Sequence, residues 1–300
     1  MEELVRVTYN VHHEIALGPL IANYFYMTGL SAGSFILSTL AYGFGVKKYK
    51  PIAKTGVVMA TLLLVFAPLN LILELEQPLR FWELFYYINL TSAISWGSFL
   101  LTLYPLNCVI YGWFMFKGNE RMTKFFGLLG IPLALSVHGY TGFILALAKA
   151  RDLWNTALMP TLFLVSAMVS GIALMIVVIT IKDRFFSREK KVNKELILDL
   201  ANLLALTIVL DLALIGSDLL VLFSSNPEAY ESAKMLLFGP FRPIFLGLEI
   251  GLGSFLPLLL LLFPLTRTVM GANLASLLVL VGIFAMRYVV VIGGQAIPQI

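Results

Sequence analysis

A histidine and a tyrosine stand two residues apart in the run His138-Gly139-Tyr140-Thr141-Gly142. Tyrosine joins an apolar ring to a hydroxyl donor, which suits the carbonyl of a flat, lipid-soluble ligand such as a quinone. The flanking glycines let a backbone or a flat ring approach closely. An interfacial belt tyrosine or a packed core residue is the alternative. His138 can ligate haem iron, donate to a quinone or pass a proton, or can be a hydrogen-bonded helix histidine. A membrane haem b calls for two facing histidines, and the other two, His12 and His13, precede the first apolar run. No intrinsic haem is therefore expected. Asp211, Asp218 and Glu249 interrupt long apolar stretches. Carboxylates are costly there, so they are candidates for a proton path or for neutralising Arg287. Glu74, Glu76, Arg80 and Glu83 cluster at the end of another apolar run. Arg80 is expected to pair with Glu74 and hold the following loop, unless these are ordinary interfacial charges.

The elements that hold these residues follow from composition. Of 300 residues, 59% are hydrophobic and 13% charged, against about 25% charged in an average soluble domain. The mean hydropathy is +0.90. So much apolar surface needs lipid as its solvent, and in lipid the backbone must satisfy itself within helices or closed barrels. A helix needs about 20 apolar residues to span the hydrocarbon. Eight runs qualify, at 18–44, 55–75, 91–115, 125–148, 157–181, 197–223, 241–265 and 270–292, and a short surface helix is expected within 224–235. Residues 1–17 contain no apolar stretch of the kind that marks a cleaved signal peptide. The basic residues sit in links rather than in one patch, so nucleic acid is not an expected partner. The single cysteine, Cys108, can form no intrachain disulfide and no iron–sulfur cluster of its own. There is no phosphate loop, dinucleotide fingerprint or metal-ligand cluster.

The links after the first, third, fifth and seventh runs carry Lys47, Lys48, Lys50, Lys54, Lys117, Arg121, Lys124, Lys182, Arg184, Arg188, Lys190, Lys191, Lys194 and Arg267, two thirds of the Lys and Arg in the sequence. By the positive-inside rule these links face the cytoplasm and both termini are extracytoplasmic. A faint repeat links the first and fifth runs, with Phe25 and Gly33 matched by Phe163 and Gly171. Gly97-Ser98-Phe99-Leu100 in the third is matched by Gly253-Ser254-Phe255-Leu256 in the seventh. Matched helices run the same way, so a true repeat is a parallel 4+4 duplication; chance among apolar residues is the alternative. The small-residue strips Gly29, Ala32, Gly33 and Ser166, Ser170, Gly171 suggest close helix packing.

These blocks resemble the NrfD/PsrC family, the membrane subunits of polysulfide reductase and related respiratory complexes. The resemblance covers most of the sequence. It rests on Tyr24 to Gly33 (YFYMTGLSAG), on Glu74, Pro78, Arg80 and Phe81, on Asn89, Ser92, Trp96 and Gly97, and on His138 to Gly142. Lys149, Trp154-Asn155, Pro160 and the ending from Arg287 to Gln295 complete it. The family often has Asp and Gly at positions 74 and 76, and usually Ser at 138. It implies an all-α membrane protein of eight transmembrane helices in two four-helix bundles. Residues 1–181 would hold the first bundle and helix 5, and residues 182–300 helices 6–8. It further implies a quinone or quinol site, of the menaquinone type, with no haem or iron–sulfur cluster of the protein's own. An extracytoplasmic iron–sulfur subunit would dock over that site and pass electrons to or from a catalytic subunit, often molybdopterin-dependent. The family's quinone-binding tyrosine falls on Tyr140, with His138 beside it. Asn23 or Tyr24 is the nearest match to the family's helix 1 polar groups, although the typical histidine is missing there, and Glu74 and Arg80 stand at the same end. Such a protein resides in the cytoplasmic membrane with its functional face outward, and holds no complete site for the terminal substrate. A proton-translocating module built on Asp211, Asp218 and Glu249, a secondary transporter, and a purely structural anchor are the other readings.

Overall fold

The computed structural model describes residues 16–185 and 194–296. His12 and His13, with Arg6, Arg188, Lys190 and Lys191, lie outside them. Among the described residues, eight helices are long and apolar enough to cross a membrane: α1 (Pro19–Tyr42), α2 (Lys47–Glu74), α3 (Ala93–Phe116), α4 (Glu120–Ala146), α5 (Met159–Phe185), α6 (Lys194–Ser224), α7 (Pro243–Leu262) and α8 (Val269–Ala296). The protein is thus an all-helical, multi-pass integral membrane protein. A surface helix, Pro227–Phe238, joins α6 to α7.

Several helices begin or end beyond their apolar runs. α2, α4 and α6 carry Lys50 and Lys54, Glu120 to Lys124, and Lys194 near their starts, and α5 carries Lys182 and Arg184 on its last turn. Long charged side chains lie along the helix and reach the polar layer, so a helix can outlast its hydrocarbon span. Asn119 caps α4 by accepting from the Met122 N–H, and Thr268 caps α8 by accepting from Gly271. Gly45 and Gly118 have φ of +74° and +76°. Each follows a helix at the predicted cytoplasmic end, where a left-handed residue turns the backbone without steric cost.

α1 and α5 are central. In their most apolar windows 72% and 67% of residues are buried, and no other span exceeds 56%. α1 packs on α2, α4, α5 and α8, while α5 packs on α1, α4, α6 and α8. The small-residue strips lie in this contact, where a side chain on Gly33 would run into Gly171 and the backbone of Ala167. The matched aromatics also meet, Phe25 and Phe163 edge to face with centroids 5.5 Å apart. The outer helices turn large apolar residues outward, among them Leu62, Phe66, Trp113, Leu206, Leu210 and Leu259. Lipid is the solvent such surfaces require.

Two stretches depart from α geometry. Pro243–Phe255 of α7 and Val289–Gly293 of α8 are π-helical. The wider turn leaves its trace in Ser254, whose hydroxyl donates to the carbonyl of Glu249, five residues back, at 3.2 Å. Hydrophobic periodicity carries no sign of either stretch. π-turns cost hydrogen-bond geometry and occur frequently at functional sites; here one contains Glu249 and the other follows Arg287.

Candidate functional site

Successive residues of a helix are about 100° apart, so two positions apart means nearly opposite faces. His138 and Tyr140 accordingly part company on α4. The Tyr140 ring turns to α3 and packs against Gly97, where any Cβ would collide with the phenol. Tyr24 of α1 is buried and lies within electrostatic reach of Tyr140. Neither phenol hydroxyl hydrogen-bonds to a described residue, and Tyr140 is only half-buried. Next to Tyr24 on α1, the Asn23 amide donates to Asn70 of α2 at 2.9 Å, and the Asn70 amide donates to the Phe66 carbonyl. One turn on, Glu74 accepts from the backbone N–H of Gly18 at 2.5 Å. Asn23, Tyr24, Glu74 and Tyr140 therefore share one end of the α1–α4 group. Sequence reasoning misses Asn70; the signal that could find it is a polar residue four positions before Glu74, on the same face of a helix.

Arg80 departs from expectation. It does not pair with Glu74. Its Nε lies 2.6 Å from Glu83 and its Nη2 2.8 Å from the other oxygen, while Nη1 donates to Gln77. The reason is local: 78–80 form a 3₁₀ turn and 83–86 one helical turn, so a residue three positions on is nearer than the preceding span. This charge-assisted pair holds the Glu83 carboxyl below the usual carboxylate range. Arg80, Glu83, Glu76, Gln77 and Tyr87 border an open surface cleft, and both ends of the pair are solvent-accessible.

His138 belongs to a second, fully buried group. Its Nε2 lies 3.3 Å from the Nη2 of Arg287. The same nitrogen donates to the Ser166 hydroxyl at 2.5 Å and to the Phe163 carbonyl at 3.3 Å. The guanidinium stands 3.8 Å over the Phe163 ring, a cation–π contact suited to a desolvated arginine. A guanidinium can only donate, so in this contact His138 Nε2 is the acceptor, while the buried Nδ1 has no partner among the described residues. Asp211 and Glu249 lie within electrostatic reach of Arg287 and of the same buried volume. Asp218, further along α6, accepts from Thr156. Among the described residues no group of three His, Cys, Asp or Glu side chains is arranged to hold a metal ion. The sequence marks Ser166 only as a packing residue; that it also receives a guanidinium depends on α8 and has no local signal.

The family-like ending has a mechanical task. The Trp154 indole donates to the Val290 carbonyl at 2.6 Å and fills the space in which a side chain on Gly294 would sit. Gln295 accepts from the Leu17 N–H and donates to the Leu17 carbonyl, both at 2.9 Å. Two blocks far apart in sequence thus lock α8 to the entry of α1 and to the segment between α4 and α5.

The eight apolar helices around this polar end, counted among the described residues, define a multi-pass integral membrane protein. The family profile described as "Polysulphide reductase, NrfD" matches residues 9–299. The protein belongs to this NrfD family. It is 32% identical to a selenate reductase subunit from Mesobacillus selenatarsenatis, over 94% of the present sequence and 74% of that one. It is also 32% identical to the Hdr-like menaquinol oxidoreductase integral membrane subunit of Archaeoglobus fulgidus, over 91% and 69%. To a polysulfide reductase polypeptide from Wolinella succinogenes it is 28% identical, over 92% and 93%.

Proposed function

We propose that this protein is the quinone-reactive membrane subunit of a respiratory oxidoreductase, exchanging electrons with a docked iron–sulfur subunit and, through it, a catalytic subunit. The observation that carries the reading is the Tyr140 hydroxyl: half-buried, set by Gly97, beside Tyr24, and without a hydrogen-bond partner among the described residues. A phenol donor with no protein partner is free to meet a ligand carbonyl. Family membership and the printed names of relatives, one a menaquinol oxidoreductase subunit, support the ligand class, with a menaquinone-type headgroup as the finer proposal.

Bound there, the quinone would supply the two-electron, two-proton chemistry. The protein's residues would bind and orient. Tyr140 would donate to a carbonyl oxygen, favouring the form with more charge on that oxygen. Tyr24 and the Asn23–Asn70 pair would fix the ring's position, and Glu74, at the polar end of α2, would exchange protons with the outer aqueous side. Arg80 would act at the rim, through the cleft it shares with Glu83. His138 faces Arg287, so its part would be indirect. The motif-bearing end is extracytoplasmic in this reading, where a peripheral electron carrier would dock.

The test is Tyr140→Phe in the assembled complex. Loss of one charge-assisted hydrogen bond, about 1.5–3 kcal/mol, lowers quinol turnover about 10- to 100-fold with subunit composition intact. Unchanged turnover sinks the assignment.

A second reading concerns Asp211, Asp218 and Glu249 as a proton-translocating module beside the quinone site. What favours it is their burial inside α6 and α7 with Arg287 in reach. Unchanged proton-to-electron stoichiometry in Asp211→Asn would count against it.

A further inference from the structure

Three buried carboxylates and one buried guanidinium share the space between α5, α6, α7 and α8. Asp211 is 2% exposed, Glu249 5% and Arg287 0%. Arg287 is anchored by a single nitrogen: Nη2 makes all three contacts, to His138, Phe163 and Ser166, while Nε and Nη1 have no partner among the described residues. Asp211 Oδ1, Glu249 Oε2 and Asp218 Oδ1 are likewise buried and unmatched there. No direct ion pair joins Arg287 to these carboxylates among the described residues. Unmatched donors near unmatched acceptors, too far apart to bond, call for something small and polar between them.

Space for it lies at the Asp218 and Glu249 end of the group, where Arg287 and Asp211 do not line it. A cavity of about 40 Å³ is bounded by Asp218 and Glu249 and otherwise by apolar side chains, including Leu162, Leu219, Leu222 and Phe245. A water requires about 10–15 Å³ of such volume, so two or three fit. The charges give the second argument. One guanidinium neutralises one carboxylate, and a further buried carboxylate ionised without a partner costs several kcal/mol or more. The cluster must therefore hold exchangeable protons, or another small cation.

We propose that the cavity between Asp218 and Glu249 is a hydrated proton-storage site, with Arg287 as its fixed counter-charge and His138 and Ser166 as the residues that position Arg287. A proton arriving on the Asp218 carboxylate passes through cavity water to the Glu249 carboxylate, which lies within electrostatic reach of Asp211 and Arg287. At each transfer one O–H bond breaks and one forms, and Arg287 keeps its own protons. The route lies on α6 and α7, on helices other than those that carry Tyr140 and Tyr24. The inference deepens the proton-module reading and rests on it.

The experiment uses the intact complex in liposomes, with proton release and quinol oxidation followed together. Leu219→Phe fills the cavity without touching a carboxylate. It is expected to lower the protons moved per electron at least twofold while quinol turnover stays within twofold of the parent. Glu249→Gln and Asp218→Asn lower the same ratio. His138→Leu lowers it through Arg287, and His138→Gln, which restores an acceptor for Nη2, recovers it. A parent complex that moves no protons beyond those of quinol oxidation sinks the module reading and this inference with it. A parent that does move them, with the ratio unchanged in Leu219→Phe, Glu249→Gln and Asp218→Asn, overturns this inference alone. Movement of sodium instead of protons, with turnover dependent on sodium, overturns the identity of the stored cation.

Discussion

The ring of Tyr140 occupies the volume that any side chain on Gly97 would need. The absence of a side chain on α3 thereby sets where a hydroxyl on α4 can be. Gly97→Ala should push the ring away at an overpacking cost of about 1–3 kcal/mol. The expected result is a raised KM for quinol and a turnover defect approaching that of Tyr140→Phe, with the complex still assembled. Steady-state quinol kinetics on the purified complex measure it, and parental kinetics would separate the ring from the reaction.

The α1–α5 contact should be the most sensitive part of the fold. A Cβ on Gly33 would stand 2.7 Å from the Gly171 Cα, so a valine at either position forces the helices apart. We expect a loss of about 1–3 kcal/mol or more, read as a lower thermal midpoint in detergent. Gly216→Ala, with nothing within 4 Å of its Cβ, should leave that midpoint unchanged.

Trp154→Phe removes the hydrogen bond to the Val290 carbonyl, which keeps the Gly294 N–H as a donor. The expected cost is about 0.5–1.5 kcal/mol. Limited proteolysis should then cut between α4 and α5 at a higher rate than in the parent.

The loop after α2 should depend on acid. The Glu83 carboxyl is held low, chiefly by its hydrogen bond with Arg80. A depressed carboxylate stabilises the fold above its unfolded pKa and loses that contribution as pH falls through the folded value. Loosening is therefore expected only below the ordinary carboxylate range. Both side chains are accessible and the pair is screened by salt, so the effect should be local. Hydrogen exchange of 78–86 at falling pH, at low and high salt, checks it.

Orientation can be read with one thiol at a time. Cys108 is buried and is the only native cysteine, so background labelling should be low. A Lys117→Cys variant should react only with reagents that enter the cytoplasm, and a Glu228→Cys variant should react from outside. The reverse pattern would invert the topology and move the proposed docking face.

The membrane helices are legible in the sequence because lipid demands long apolar runs and little else resembles them. Their ends are less so: Lys50, Lys54 and Glu120 look like loop residues until a helix is allowed to continue into the polar layer. The separation of His138 from Tyr140 is already present in their two-residue spacing. The partner of His138 is not, because Arg287 lies 149 residues away in sequence. The π-helical turns around Glu249 and after Arg287 leave no periodic trace, since a small offset in side-chain direction does not change which residues are apolar. Arg80 misleads because its short 3₁₀ turn favours a neighbour three positions on, which charge alone does not reveal.

Phe25 touches Phe163, and Gly33 touches Gly171. Each residue meets its own counterpart, eight positions apart on both helices, as in the self-complementary interface of a two-fold dimer. A seam of this kind is the contact that a parallel 4+4 duplication requires, and chance among apolar residues is the alternative. It also bears on later change, because a larger residue at either glycine demands accommodation from the other. On either side of this line the two groups of helices differ, with the tyrosine face on α4 and the buried carboxylates on α6 and α7.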